Sequence, residues 1–282
     1  MIKEVLVCLE GSKSGKAAVE TAIQIAREQQ ATLVGMAIVD KPDILAGTPE
    51  GIGSSSYKIQ RNEALLEDAH RRALEWTGEF QRRCDDEGVS ARTLEVVGRP
   101  VEKILEEMLR HDLTVLGKDA NFRFETQVGD RWTRNKVVRN ATRPVLLVPD
   151  EVPQASPALG RTVLVAYDGS PSAERILGSF AQSGLGRTRE VQVATVGDDG
   201  EKAGDMALKA AEMLRRLGIA ARDQAVVSPL SDHEALVELE RQLGAGLVVM
   251  GAFAQSRLSE LIHGSGTSHV VEQSAVPIYL QH

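Results

Sequence analysis

The sequence predicts two doubly wound, mainly parallel α/β domains in tandem, and three observations carry that prediction. Short apolar strands alternate with helix-length segments from end to end. The run Val5-Leu-Val-Cys-Leu-Glu10-Gly11-Ser12 returns 158 residues later as Val163-Leu-Val-Ala-Tyr-Asp168-Gly169-Ser170. Leu113-Thr-Val-Leu-Gly117 also returns, as Leu247-Val-Val-Met-Gly251, after only 134 residues. A period far longer than the roughly 20–50 residues of a solenoid is a duplicated domain, with the second copy shorter in its middle.

In chain order, residues 3–9 read as a strand, because the apolar run Val5–Leu9 is short and ends at a Gly-Ser turn. Residues 14–29 read as an amphipathic helix and 31–39 as the second strand. Lys41–Ser56, with its Pro, Gly and Ser, reads as a long loop, either a mobile surface segment or a lid, and the second copy lacks most of it. Residues 60–87 form a long charged helix in this reading, 92–97 a strand, 100–111 a helix, 113–117 a strand, 131–141 a helix and 144–148 the closing strand. Pro149–Gly160 has the composition of a linker, which places domains at 1–149 and 161–282 with 150–160 between them. The 282 residues suit two domains that each bury a core.

Acidic side chains outnumber basic ones, 40 against 33, so the chain has no overall electrostatic pull toward nucleic acid. The cluster Arg123, Arg131, Arg134, Lys136, Arg139 and Arg143, with Phe122, Phe124 and Trp132, is interleaved with Glu125 and Asp130 and reads as a solvated helix face. No apolar run approaches the roughly 20 residues of a membrane span, and the opening residues enter a strand pattern rather than a signal-peptide design. Neither nucleic acid nor membrane is expected as a partner, and the expected compartment is the cytoplasm. Cys8, in an apolar strand, and Cys84, in a charged helix, have no CxxC spacing and read as ordinary thiols.

Doubly wound sheets bind ligands at the carboxyl ends of their strands. Gly11, Asp40, Gly117, Asp168, Asp198 and Gly251 fall at such ends. The best binding candidate is Met250–Ser268, where a strand ends at Gly251 and the knot Gly264-Ser265-Gly266-Thr267-Ser268 precedes a helix beginning near His269. Free backbone N–H groups and a helix dipole suit a phosphate there. The same residues equally make tight turns and helix caps without a ligand.

Both halves resemble the universal stress protein family, and the whole chain is similar to a tandem two-domain member. The resemblance implies an adenine-nucleotide alpha-hydrolase-like fold, with the two domains packed as a pseudo-dimer. Nucleotide-binding members carry Gly, two residues, Gly, nine residues, Gly and then Ser or Thr, with an Asp ending the first strand. Gly251, Ala254, Gly264 and Ser265 match that spacing with Ala254 in place of the second glycine, Gly266 and Thr267 follow, and Asp168 supplies the carboxylate. By resemblance, Asp168 and Val196 lie at the adenine and ribose end, while Gly251, Ala254 and Gly264 through Thr267 wrap the phosphates. If position 254 requires a left-handed backbone, alanine costs roughly 1–2 kcal/mol, about tenfold in affinity. If a phosphate must touch the Cα, the methyl blocks it.

The first half departs further. Glu10 replaces the Asp, Lys118-Asp119-Ala120 follows Gly117, and Gly129-Asp130 arrives one residue early without a hydroxyl. A carboxylate about 4 Å from a phosphate costs on the order of 4 kcal/mol at an effective dielectric near 20, so no ordinary phosphate site is expected there. Gly11-Ser-Lys-Ser-Gly15-Lys16-Ala17 is one residue short of a P-loop and lacks its magnesium-binding hydroxyl. The six histidines, His263 and His269 among them, show no zinc spacing, and GxSxG is absent. Asp168 has a second reading as the N-cap of the following helix.

The expected function is a regulatory, ligand-linked switch in stress response that binds ATP or another adenine nucleotide in the second domain, with Mg2+ only alongside a triphosphate. Terminal strands Val145–Val148 and Val276–Leu280 are apolar edges of the kind the family uses for pairing, which implies a homodimer through them. Two alternatives stand beside this: a protein-interaction module without nucleotide, and an enzyme that slowly hydrolyses ATP. For the latter no catalytic base is identifiable in the sequence.

Overall fold

A computed structural model describes residues 1–46, 55–122, 132–152, 159–252 and 265–282. The first half contains β1 (Glu4–Leu9), α1 (Lys13–Gln29), β2 (Thr32–Val39), α2 (Lys41–Ala46), α3 (Ser55–Asp86), β3 (Ala91–Val97), α4 (Pro100–Met108), β4 (Leu113–Gly117), α5 (Trp132–Asn140) and β5 (Val145–Val148). The second contains β6 (Thr162–Ala166), α6 (Pro171–Ser183), β7 (Glu190–Val196), α7 (Gly200–Arg216), β8 (Ala221–Val226), α8 (Asp232–Leu243), β9 (Leu247–Gly251), α9 (Ser265–Gln273) and β10 (Ile278–Gln281).

The strands form one sheet in the order β3-β2-β1-β4-β5-β10-β9-β6-β7-β8. Each half is a doubly wound parallel unit, and the halves meet through one antiparallel pair, with Tyr279 opposite Leu146. Side chains alternate across the sheet: Val5, Val7 and Leu9 join a core with α1, α3, α6 and α7, while Leu6 and Cys8 join a core with α4, α5, α8 and α9. Apolar runs such as Val145–Val148 are therefore buried on both faces. The pseudo-dimer is as expected.

Because β5 lies between β4 and β10, and β10 between β5 and β9, neither terminal strand has a free edge. The expectation of a homodimer through these strands is corrected: their backbone groups are paired inside one chain. Buried Arg189 adds a bond across the halves, donating to Glu28 at 2.7 Å.

Two boundaries also differ from the sequence reading. Lys41–Ala46 is a helix rather than loop, with Asp40 Oδ1 accepting from the Asp43 backbone N–H at 3.1 Å. Proline and an acidic residue suit a first helical turn as well as they suit a loop. The long helix starts at Ser55, within the segment read as loop, and residues 47–54 lie outside the described residues. Arg134, expected on a solvated face, is 1% exposed and donates to the Lys118 carbonyl at 2.9 Å, whereas Lys136, Arg139 and Arg143 are exposed.

Candidate functional site

In each half the strand order reverses direction between the first and fourth strands, which opens a crevice at their carboxyl ends. In the second half that crevice lies between β6 and β9, with β7 on the far side of β6. Asp168 follows β6, Val196 ends β7 and Gly251 ends β9, so the fold gathers these three residues on neighbouring strand ends.

Asp168 is exposed, and its Oδ1 accepts from the Ser170 backbone N–H at 2.9 Å. It does not cap α6. Ser170 does, accepting from Ala173 N at 3.1 Å, and Pro171 opens the helix where no backbone donor is needed. Gly251 has a packing reason of its own: a Cβ there would lie 2.7 Å from Ser172 Oγ and 2.9 Å from Ala173 N. The first turn of α6 thus rests directly on the end of β9.

The first half repeats this construction. Ser12 caps α1, and a Cβ on Gly117 would lie 2.6 Å from Ser14 Oγ and 2.7 Å from Gly15 N. The two strand-end glycines therefore serve helix–strand contact in both halves, a packing role distinct from the tight turns expected from the sequence. Glu10 also resembles Asp168 in its bonding, since it accepts from the Ser12 N–H at 3.0 Å and from the Ser12 hydroxyl. Its extra methylene is accommodated because Gly15 stands where the second half has Ala173: a Cβ at Gly15 would lie 2.4 Å from Glu10 Oε1. Burial, with further contributions from Asp150 and Asp119, holds the Glu10 carboxyl above its ordinary range against the Ser12 hydrogen bonds.

The glycine- and hydroxyl-rich knot is partly described. The helix begins at Ser265, not near His269, so Ser265, Gly266 and Thr267 form the first turn of α9 and Thr267 is buried. A run of Gly, Ser and Thr reads as a turn in sequence, yet small hydroxyl residues also fit a helix N-terminus. Ala254 and Gly264 lie outside the described residues.

The far end of α9 is held by the first half. Lys118 Nζ donates to the carbonyl oxygens of Glu272 and Ser274, both at 2.9 Å, a cation on the C-terminal carbonyls of the helix. Glu240 on α8 is 3% exposed and accepts from the Ala275 N–H at 3.1 Å. Sequence reasoning gave neither residue this role, because contacts spanning 154 and 35 positions leave no local pattern.

The model of the universal stress protein family matches residues 1–149 and 160–281. The chain belongs to the universal stress protein family. It is 23% identical over 292 residues to a universal stress protein of Synechocystis sp., covering 98% of this chain and 99% of that one. A solved universal stress protein from Archaeoglobus fulgidus superposes with a TM-score of 0.73 at 19% identity, covering 99% of this chain and 95% of that one. A putative universal stress protein from Pseudomonas aeruginosa gives 0.59 at 16% identity, covering 99% and 93%. The two family matches coincide with the two halves of the sheet. No helix among the described residues is long and apolar enough to cross a membrane.

Proposed function

We propose that the second domain of this universal stress protein binds an adenine nucleotide, ATP in the first instance, and that binding biases a regulatory equilibrium in stress response. The observation that carries this reading is the placement of Asp168 and Gly251 on adjacent strand ends at the reversal of strand order. In this reading Asp168 and Val196 meet the adenosine end, while Gly251, Ala254 and residues Gly264 through Thr267 surround the phosphates. A helix N-terminus suits an anion through its backbone N–H groups and dipole, and in this reading α9 presents its first turn to the phosphates. Magnesium would accompany a bound triphosphate and neutralise part of its charge.

Regulation follows from where α9 ends. Lys118 of the first half holds the C-terminal carbonyls of the same helix whose N-terminus would face phosphate. A ligand shifts such a packing equilibrium only by its differential affinity for two arrangements. The shared packing role of Gly117 and Gly251 favours a second reading, an interaction module in which these glycines never meet a ligand.

The test is to denature purified protein and identify any released nucleotide by chromatography and mass spectrometry, with Gly264→Asp as the control. Adenine nucleotide released by the parent and not by the variant is the expected result. Release from neither, together with a melting temperature unmoved by millimolar ATP, would replace the nucleotide reading with the interaction module.

A further inference from the structure

A cavity of about 210 Å³ lies in the first half between α1, α3 and the end of β1, floored by Leu9, Val19, Trp76 and Phe80. Its polar lining consists of Glu10, Lys16, Glu20, Glu79 and Arg83. Ordinary ligand pockets measure roughly 300–1,000 Å³, so this one suits a single small ring rather than a nucleotide.

The second half shows what fills the equivalent space. Residues of β1 and α1 correspond to those of β6 and α6 at the 158-residue offset, so Leu9 matches Tyr167 and Lys16 matches Glu174. Helix α3 corresponds to α7 with Cys84 matching Leu214, since the carbonyls of both accept the chain-reversing bonds from Val89 and Ile219 after Gly88 and Gly218. On that register Trp76 matches Met206. The contacts agree: a Cβ on Gly11 would lie 3.2 Å from the Trp76 ring, and one on Gly169 would lie 3.2 Å from Met206 Sδ.

Tyr167 is buried, and its hydroxyl donates to Glu174. The second half therefore carries its own phenol in the apolar layer beneath α6. In the first half that phenol is replaced by the shorter Leu9. Phe80 does not take its place: it seats its ring on the strand, where a Cβ on Gly35 would lie 2.5 Å from its Cδ1, while the second half has Val193 and Ala210 at these positions. The large side chain has moved from strand to helix, and the space beside it is left open.

We propose that this cavity is a binding site for a phenol-sized aromatic molecule carrying a hydrogen-bond donor, which occupies the space that Tyr167 fills in the other half. The apolar floor takes the ring. Of the charged lining, Arg83 is committed to Glu20 through two bonds of 2.8 Å, which leaves the carboxylates Glu10 and Glu79 against the single cation Lys16. Glu10 already accepts two hydrogen bonds from Ser12, and an ionised carboxylate has room for more. A hydroxyl or ammonium head meets acceptors there, and an aryl carboxylate meets repulsion. The site is separate from the nucleotide reading and does not depend on it.

The probe is p-cresol, the side chain of tyrosine as a free molecule, titrated by calorimetry and by Trp76 fluorescence in a Trp132→Phe background. Saturable binding is expected with a dissociation constant on the order of 1 mM or tighter, as suits a ligand with so few atoms. Leu9→Tyr restores the internal phenol and should weaken p-cresol at least about tenfold while leaving the melting temperature equal or higher. Lys16→Glu, an exposed change that copies Glu174, should tighten binding several-fold, and it decides the matter if Leu9→Tyr does not fold. No saturable binding to the parent, equal binding to folded Leu9→Tyr, or no gain with Lys16→Glu would overturn the site. Benzoate binding as tightly as p-cresol would overturn the donor class.

Discussion

Arg189, 1% exposed at its side chain, donates to Glu28 of the other half at 2.7 Å. The guanidinium also donates to the carbonyls of Leu185 at 2.7 Å and Gly160 at 3.1 Å, so a buried cation is satisfied partly by backbone and partly across the boundary between halves. Removing only the carboxylate leaves that cation without its counter-charge. Glu28→Ala should lower the free energy of unfolding by about 1–3 kcal/mol in urea titration, the partial exposure of Glu28 keeping the cost below that of a fully buried pair. An unchanged denaturation midpoint would show that water replaces Glu28 without cost.

The two strand-end glycines separate packing from ligand binding. Gly117→Ala and Gly251→Ala each drive a methyl into the first turn of a helix of their own half, α1 and α6 respectively, at under 3 Å from a backbone nitrogen. Overpacking of this kind costs about 1–3 kcal/mol. Both variants should therefore melt lower, and only Gly251→Ala should also weaken ATP. If neither melts lower, the close approach at these glycines is not what holds the helices to the sheet.

Glu240 supplies a pH dependence. Burial raises its carboxyl above the ordinary glutamate value, against lowering by Ser274, Ala275, Arg241 and Lys118. A raised carboxyl binds its proton more tightly folded than unfolded, so it stabilises the fold below the unfolded-state pKa and loses that contribution as pH rises through the folded one. Glu240→Gln should be less stable relative to the parent at acidic pH than at pH values above the folded pKa. Denaturant titrations of both proteins from roughly pH 4 upward measure this, and a stability difference that stays flat with pH would contradict it.

The strands were legible because Val5–Leu9, Leu113–Gly117 and Val145–Val148 are apolar runs that only a sheet covered on both faces can bury. The repeat gave the order of elements, and from it the crevice at Asp168 and Gly251. Helix α2 was hidden because Lys41-Pro42-Asp43 is equally good loop and first helical turn. The packing role of Gly117 was hidden because its partner Ser14 is over a hundred positions away, and the absence of a side chain does not announce what approaches. The cavity was hidden for a related reason. Leu9 for Tyr167 looks conservative in an apolar strand, and its effect emerges only when Phe80 is seen lying on Gly35.

Lys118 links these levels. It stands where the second half has Ala252, so the duplicated fold has given the two copies different roles: in one, a long cation crosses to α9, and in the other a methyl is buried in the core. Lys118→Met keeps the aliphatic stem and removes the charge from the carbonyls of Glu272 and Ser274. A cation at a helix C-terminus contributes up to about 2 kcal/mol in a partly buried setting, so a loss of about 1–2 kcal/mol of stability is expected. If nucleotide binding orders the other end of the same helix, the variant should also bind ATP several-fold more weakly, although Lys118 lies at the opposite end of the helix from the proposed phosphate site. Isothermal titration of parent and variant reads the affinity, and urea titration reads the stability. Lost stability with unchanged ATP affinity would confine Lys118 to holding the halves together, and would remove the link between the first half and the proposed switch.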